Sequence, residues 1–218
     1  MDKNTLTALV KEKCLSLGFS KSGITKVQYH QEDREHLDAW IGDNYHASMQ
    51  WMENNIEKRT NISNYYNESK SVICVALNYF TGTVTDNYNE PYISNYALGK
   101  DYHIIIKSKL KNLLNEIKKI DNEIDGYYCV DTSPIMEKAW SQRAGIGWIG
   151  KHTNLITEEY GSWVFLGELI INRELYYDSP FITDLCGTCN LCIEECPTDA
   201  IIEPYRLDSN KCISYLTI

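Results

Sequence analysis

The chain has 218 residues, of which 43% are hydrophobic, and a formal net charge of −9 at neutral pH. This length and composition predict one large globular domain with a small appendage, or two modest domains. The negative charge argues against nonspecific nucleic-acid binding through a general positive field, and it does not exclude a local basic patch.

The sequence lacks the patterns typical of secreted or membrane proteins. Residues 1–4 lead into an amphipathic segment and not an apolar one, so we expect no secretory signal peptide. No stretch approaches the roughly 18 apolar residues of a membrane-spanning helix. We therefore expect a cytoplasmic protein without membrane contact.

Helical periodicity is clearest in two segments. Apolar residues at helical spacing predict a helix over residues 4–17 and another over 102–120, with Asp101 as the N-cap of the second. Short helices are expected within residues 28–62. Ser133-Pro134 resembles an N-cap followed by a first-turn proline, which predicts a helix from there to about Ala144. The expected buried stripe of the 102–120 helix comprises Ile106, Leu110, Leu113, Leu114 and Ile117.

Continuous apolar runs predict buried strands over residues 71–80, 126–131 and 162–171. A loop over residues 81–99, rich in tyrosines and turn formers, is long enough to be functional or mobile. The alternation of strands and helices predicts an α+β or mixed α/β domain over residues 1–177. Asp178-Ser179-Pro180 then marks a boundary, and residues 178–218 form a second domain.

The strongest chemical signal is the run C-x2-C-x2-C-x3-C-P, which contains Cys186, Cys189, Cys192 and Cys196. Bacterial ferredoxins hold cubic iron–sulfur clusters with this spacing, and the fourth cysteine usually binds a different cluster. Zinc is the alternative, but it is typically bound by two separated cysteine pairs. We therefore interpret the run as an iron–sulfur motif.

The number of cysteines does not complete two clusters. Each cubic cluster requires four thiolates, whereas the C-terminal segment offers the run and Cys212. Cys14, Cys74 and Cys129 lie in apolar surroundings, where small buried side chains are expected. Either these three supply the missing ligands or the sequence is cut short, and we favour the second explanation. The ferredoxin-like domain is thus expected to be incomplete and to bind fewer irons than two full clusters.

Two further segments are candidates for ligand binding or catalysis. Asp131 follows a predicted strand and precedes a predicted helix, so it either caps the helix or acts as an acid in a cleft. The glycine-rich segment 145–154 contains Lys151 and Asn154, and it is either a tight turn or a ligand contact. Its spacing matches neither a P-loop nor a dinucleotide fingerprint. His103 and Arg59 carry a similar ambiguity between surface and functional roles.

Together these segments resemble one family, epoxyqueuosine reductase, an iron–sulfur and cobalamin enzyme that modifies tRNA. The matching stretches lie within residues 45–218, and they are 96–103, 130–137, 138–154, 161–168, the cysteine run and 211–217. The resemblance implies a cobalamin-binding α/β domain similar to that of reductive dehalogenases. It also implies a second domain that is part of a two-cluster ferredoxin module.

The resemblance implies the reductive deoxygenation of epoxyqueuosine to queuosine at the wobble position of tRNA. Asp131 matches the proton donor of the family. The cofactors would be cobalamin and two [4Fe-4S] clusters. The partners would be tRNA with a GUN-type anticodon and an external electron donor such as a flavodoxin or a ferredoxin, and the protein would be a monomer.

The resemblance also implies a set of binding residues. The residues expected in or near the cleft for the corrin and the substrate are Arg59, His103, Asp131, Arg143, Lys151 and Asn154. The cluster ligands would be Cys186, Cys189, Cys192, Cys196 and Cys212. Two alternatives stay open: a corrinoid reductase of a small molecule, similar to a reductive dehalogenase, and an iron–sulfur electron carrier without a substrate of its own.

Overall fold

The computed structural model describes residues 1–80, 82 and 93–217. The helices and strands alternate along most of the chain. In chain order they are α1 (Lys3–Ser16), β1 (Lys21–Lys26), α2 (Gln31–Gly42), α3 (Ile56–Thr60), β2 (Ser71–Asn78), α4 (Tyr102–Ile120), β3 (Gly126–Cys129), α5 (Glu137–Arg143), β4 (Trp148–Ile149), β5 (Leu155–Ile156), β6 (Val164–Ile171), α6 (Leu191–Glu194), β7 (Ile201–Glu203) and β8 (Arg206–Leu207).

A four-stranded sheet in the order β1-β2-β6-β3 forms the centre of the molecule, and all its strand pairs are antiparallel. The fold is therefore of the α+β kind within the expected class. The apolar runs at 71–80 and 162–171 form its two inner strands, β2 and β6, as predicted. Two small hairpins, β4-β5 and β7-β8, lie outside this sheet.

Each face of the sheet is covered by its own hydrophobic cluster. On one face, Ile73 and Val75 of β2 pack with α1 and α4. On the other face, Val72 and Cys74 of the same strand pack with α5 and the β4-β5 hairpin. Since complete burial of one aliphatic side chain contributes about 1.5–3 kcal/mol, these two clusters account for the position of the sheet between two layers.

Helices α1 and α4 agree closely with the sequence. The Asp2 side chain accepts hydrogen bonds from the first turn of α1, and Asp101 accepts one from the His103 amide at the start of α4. The five residues of the expected α4 stripe are all buried. Capping by aspartate satisfies amide groups that have no partner inside the helix, which explains where both helices begin.

The predicted start of the next helix is wrong. The chain bends through residues 131–135, and α5 begins only at Glu137. Asp131 adopts a left-handed conformation with φ of 49°, and the Ile135 amide donates to the Ser133 carbonyl. The turn at Asp131 thus redirects the chain before a helix can form, and Ser133 does not act as its cap.

The sequence analysis did not predict β1, and the structure describes only part of the expected 81–99 loop. Strand β1 has the sequence KSGITK, which contains few apolar residues, yet it forms an edge of the sheet against β2. Most of the expected 81–99 loop lies outside the described residues, as does the end of the apolar segment at residue 218.

The segment after residue 177 contacts the preceding part of the chain. Asp178 accepts a hydrogen bond from the Ile24 amide at 2.8 Å. The Trp40 indole donates to the Leu207 carbonyl at 2.7 Å, and the Ser209 amide donates to the Tyr45 carbonyl. The division into domains 1–177 and 178–218 stays a prediction. Over the described ranges, no helix is long and apolar enough to cross a membrane.

The contact between β1 and the end of α5 yields a test of this packing. A Cβ atom at Gly23 would overlap the Ala144 carbonyl oxygen. We therefore expect Gly23→Ala to lower the free energy of unfolding by about 2 kcal/mol or more. Urea denaturation of the purified chain measures the change.

Gly42→Ala is the matched control, because nothing lies within 4 Å of the added Cβ. Gly42 is the last residue of α2, so alanine there should leave stability unchanged or raise it by up to about 1 kcal/mol. Equal losses for the two variants would contradict the packing described here.

Candidate functional site

Asp131, His103 and Asp101 form a chain of hydrogen bonds at the start of α4. The His103 Nε2 atom lies 2.8 Å from Asp131 Oδ2, and Nδ1 lies 2.7 Å from Asp101 Oδ1. Since each ring nitrogen faces a carboxylate, both must carry a proton unless a carboxyl group is protonated. This arrangement holds one more proton than a neutral histidine would.

The pKa of His103 reflects these contacts. Partial burial lowers it, but the hydrogen bonds to Asp131 and Asp101 outweigh that effect, so the pKa is raised above the ordinary value of 6.5. Tyr102 stacks on the His103 ring at a centroid distance of 4.1 Å, and it stacks equally closely on Phe165. The imidazole is therefore fixed by rings as well as by carboxylates.

The conformation of Asp131 depends on Glu137, the first residue of α5. The Asp131 amide donates to Glu137 Oε1 at 2.5 Å. A left-handed conformation is unfavourable for a residue with a Cβ atom, so it requires support from its surroundings. Glu137 supplies that support, and the Asp131 carboxylate is thereby directed towards His103.

A pocket of about 180 Å³ opens beside these groups. Its wall combines acidic, amide and hydroxyl side chains with rings and aliphatic groups. The lining residues are Tyr102, Asp131, Glu137, Lys138, Asn154, Leu155, Ser162, Val164, Phe165 and Leu166. A concave site in which polar groups converge beside apolar side chains is a candidate small-molecule or cofactor site.

Two carboxyl groups with raised pKa values lie at this wall: Glu137 lines the pocket, and Glu168 is buried and is not among the lining residues. Burial raises the pKa of Glu137 to about 7, although the Asp131 amide lowers it in part. Glu168, on β6, is completely buried, and neither of its oxygens has a hydrogen-bond partner within the described part of the chain. Burial, followed by the charge of Glu137, raises the pKa of Glu168 well above its ordinary value.

Of the expected cleft residues, His103, Asp131 and Asn154 come together at the pocket. Asn154 lines it and accepts a hydrogen bond from Lys138 Nζ at 3.3 Å. Arg59 is partly buried, and its Nε atom is without a partner among residues 1–80, 82 and 93–217. Burial lowers the pKa of Arg59, and the charge of Glu137 opposes this shift.

Arg143 and Lys151 make their contacts elsewhere. Arg143 forms a bidentate ion pair with Asp33, in which both N–O distances are 2.7 Å, and this pair links α5 to α2. The Lys151 ammonium group donates to Gly187 and Cys189 carbonyl oxygens in the cysteine run, at 2.8 and 2.9 Å. Neither side chain is among those that line the pocket.

The glycine-rich segment has a structural explanation. A Cβ atom at Gly147 would overlap the Ile156 carbonyl oxygen, so glycine permits the close approach of β4 and β5. Gly145 has φ of 77°, a conformation that favours glycine. The hairpin formed by β4 and β5 brings Asn154 to the pocket and directs Lys151 towards the cysteines.

The eight cysteines fall into two classes. Cys14, Cys74 and Cys129 are completely buried in the hydrophobic clusters, as expected. The five cysteines of the C-terminal segment are all at least partly exposed. Cys196 Sγ accepts a hydrogen bond from the Ala200 amide at 3.3 Å, and amides of Thr198, Ile201 and Ala200 lower its thiol pKa to about 7.

The lowered pKa of Cys196 fits a cluster ligand, because the thiolate is the form of cysteine that binds metal. The side-chain positions do not form a complete site by themselves. In the part of the chain that the structure describes, no three His, Cys, Asp or Glu side chains converge as a metal-binding group. The ligand roles of the five cysteines stay a prediction.

Comparison with known proteins identifies the family. Residues 59–132 match the family model for epoxyqueuosine reductase QueG, DUF1730, and residues 185–218 match the 4Fe-4S double cluster binding domain. The epoxyqueuosine reductase of Cellulophaga algicola is 44% identical over 210 residues, which cover 96% of this chain and 68% of that protein. The chain belongs to the epoxyqueuosine reductase family. The predicted family and the cluster-binding segment are thereby confirmed.

Solved structures give the same fold. An epoxyqueuosine reductase bound to an epoxyqueuosine-modified tRNA-Tyr stem loop superimposes with a TM-score of 0.87 at 32% identity, over 98% of this chain and 57% of that one. The reductive dehalogenase NpRdhA superimposes with a TM-score of 0.64 at 15% identity, over 98% of this chain and 29% of that one. The second likeness shows a shared fold, as expected. The chain thus spans just over half of the solved reductase.

Sequence reasoning missed Glu137, which lines the pocket, and Glu168, which is buried in the sheet. Glu168 was detectable, since it is the single charged residue in the otherwise apolar run SWVFLGELII. Glu137 gave no such signal, because its role depends on the bend at Asp131.

The bond between Asp131 and Glu137 predicts a specific loss of local order. Glu137→Ala should accelerate hydrogen exchange of the Asp131 amide about tenfold, because a hydrogen bond to a charged group is removed. Exchange measured by NMR on the labelled chain provides the test. Glu137→Gln is the matched control, because its Oε1 can still accept the bond, and it should exchange at the parental rate. Identical rates in all three proteins would show that Glu137 does not hold Asp131.

The His103 contacts predict a pH-dependent contribution to stability. Because the pKa of His103 is raised on folding, its contribution is complete below about pH 6.5 and is lost as the pH rises through the folded-state pKa. Asp131→Asn should lower the His103 pKa, measured by NMR titration. His152, whose pKa burial lowers, is the internal reference and should not change. A His103 pKa that is the same in both proteins would contradict the hydrogen-bonded chain.

Proposed function

We propose that this chain carries the catalytic domain of an enzyme that reduces epoxyqueuosine to queuosine at the wobble position of tRNA. The observation that carries the proposal is the hydrogen-bonded chain Asp131–His103–Asp101 beside the pocket. It supports this reaction because the chain belongs to the epoxyqueuosine reductase family. Opening an epoxide develops negative charge on oxygen, and a positioned acid that protonates this oxygen lowers the barrier.

Asp131 is the proton donor in this proposal, and His103 replenishes it. The proton shared between His103 Nε2 and Asp131 Oδ2 can move to the carboxylate across a distance of 2.8 Å. Asp131 is about half exposed, so its carboxyl group is accessible from the pocket. Asp101 stays on the far side of the imidazole and stabilises the charged ring while the proton is on it.

Cobalamin is the cofactor that the family implies, and the residues around the pocket fit it. The pocket is too small for a whole corrin, but the exposed ring of Trp163, which lies between the lining residues Ser162 and Val164 in the chain, adds apolar surface for a large planar ligand. Asn154 and Ser162, which line the pocket, would offer polar atoms to the cofactor. Bound reduced cobalamin would supply the electrons for cleavage of the carbon–oxygen bond.

Arg143 and Lys151 have a supporting role in this proposal, because their charged groups are occupied at distances below 3 Å. Arg143 fixes α5, whose first residue Glu137 holds Asp131. Electrons would enter through two [4Fe-4S] clusters, with ligands that include the five cysteines of residues 186–212.

The partners follow from the same proposal. The substrate is tRNA with a GUN-type anticodon that carries epoxyqueuosine, and the solved relative with its modified stem loop supports this choice. A flavodoxin or a ferredoxin would supply the electrons. The protein would act as a monomer in the cytoplasm, where tRNA is found.

Two other functions predict different behaviour. A corrinoid reductase of a small molecule would accept haloorganic compounds and ignore the modified anticodon stem loop. An electron carrier would bind no corrin and would not need a protonated chain beside Asp131. The family membership, at 44% identity to a reductase, favours the tRNA substrate over both.

Asp131→Asn tests the proposal directly. Because asparagine cannot donate the required proton, we expect the turnover of an epoxyqueuosine stem loop to fall by a factor of about 10²–10⁴. The assay uses anaerobic protein with cobalamin and reductant, and the product nucleoside is measured by mass spectrometry.

Asp38→Asn serves as the control, since Asp38 is an exposed residue of α2 paired with Arg34 on the surface. It should keep parental turnover. The visible spectrum of each variant verifies that the cofactors are equally loaded. Parental turnover in Asp131→Asn with equal loading would remove Asp131 from the role of proton donor.

A further inference from the structure

Lys151 is a nearly buried cation whose side chain points away from the pocket and into the cysteine run. Its relative exposure is 8%, and its Nζ atom donates three hydrogen bonds of 2.8–2.9 Å. The acceptors are the carbonyl oxygens of Gly187 and Cys189 and the side-chain Oδ1 of Asn190. All three donor positions of the ammonium group are thus used on one loop.

The main chain of Lys151 is tied to the same segment. Its carbonyl oxygen accepts a hydrogen bond from the Tyr205 amide at 2.9 Å. The Tyr205 hydroxyl in turn donates to Asp184, which also accepts from the Cys186 amide at 2.9 Å. Lys151 therefore fixes the loop between the first two cysteines from two directions.

The charge of Lys151 is not neutralised by a direct partner. Within residues 1–80, 82 and 93–217, no carboxylate oxygen lies within 4.0 Å of its Nζ atom, whereas Lys11 and Lys21 both form ion pairs. A buried charge is costly unless it is paired with an opposite charge. The loop that Lys151 holds carries the cysteine thiols, which become anionic when they bind iron.

We propose that Lys151 is the electrostatic partner and the tether of the iron–sulfur cluster that the cysteine run binds. The inference deepens the proposed function and rests on its assignment of a cluster to this run. The ammonium group orders the Gly187–Asn190 loop for metal binding. It also stabilises the reduced cluster more than the oxidised one, because reduction adds one electron and hence one negative charge. No bond to Lys151 is made or broken.

Hydrogen exchange of the metal-free chain tests the tether. Lys151→Met removes the charge and all three hydrogen bonds but keeps an unbranched side chain. We expect exchange of the amides of residues 187–190 to accelerate about tenfold, since charge-assisted bonds that order the loop are lost. Lys111→Met is the control, because Lys111 is an exposed residue of α4. Parental exchange in Lys151→Met would overturn the proposal.

Redox titration after anaerobic reconstitution with iron and sulfide tests the charge. The midpoint potential of the cluster, followed by visible absorbance and electron paramagnetic resonance, should become more negative in Lys151→Met. The iron retained per chain should fall by at least half. Lys151→Arg keeps the charge and should stay close to the parent in potential. A potential that is unchanged or less negative in Lys151→Met would overturn the electrostatic part.

A loss of folding in Lys151→Met, detected by circular dichroism, would not leave the question open. Asn190→Ala then decides it, because this variant removes one acceptor and leaves Lys151 in place. Faster exchange at residues 187–189 is expected, and an unchanged rate would refute the tether. None of these measurements uses epoxyqueuosine, so failure of the proposed tRNA reaction would leave them interpretable.

Discussion

The burial of both faces of strands β2 and β6 is the constraint on which the rest of the structure depends. These strands form the middle of the sheet, and each places alternate side chains in two different hydrophobic clusters. Their length and register fix where β3 ends, and therefore where Asp131 emerges. A shift of one residue in β6 would exchange its two faces and expose the apolar set of one cluster.

The same constraint brings a carboxyl group into the interior. In the register of β6, Glu168 lies opposite Cys74 on one side and Cys129 on the other. The charged form of a carboxyl group in this position would lack water, and this raises its pKa. The pocket thus has two carboxyl groups in its wall, those of Asp131 and Glu137, and Glu168 is buried nearby in the sheet. Glu168 is buried and its pKa is raised well above the ordinary value, the pKa of Glu137 is raised to about 7, and Asp131 is accessible from the pocket.

The sequence was sufficient to predict the positions of those helices and strands that follow a regular apolar pattern. The helices α1 and α4 and the strands β2 and β6 bury regular apolar patterns, and their positions were predicted closely. Strand β1 was missed because its stability comes from pairing with β2 and not from its own composition. The start of α5 was wrong because a left-handed aspartate redirects the chain before it. Such a conformation depends on the distant His103 and on Glu137, and no local pattern encodes it.

Site prediction had a similar limit. Motif resemblance identified the family and located Asp131, His103 and Asn154 near one pocket. It did not predict that the Lys151 side chain points away from this pocket and donates hydrogen bonds to residues 36–39 positions further along the chain. Long side chains reach several ångströms from their backbone, so the position of a residue in a motif does not determine which side of a hairpin its charged group contacts.

The division of the cysteines into two classes has a consequence for the chemical durability of the molecule. The three thiols in the hydrophobic clusters are inaccessible to dissolved oxidants, and burial raises the pKa of Cys14 and Cys129 to about 12, which suppresses the reactive thiolate. The exposed thiols of residues 186–212, including Cys196 with its pKa of about 7, have no such protection. Exposure to air should therefore oxidise the thiols of the metal-binding segment and leave the folded sheet intact. A sample can then retain its fold after it has lost the ability to bind the cluster that would deliver electrons.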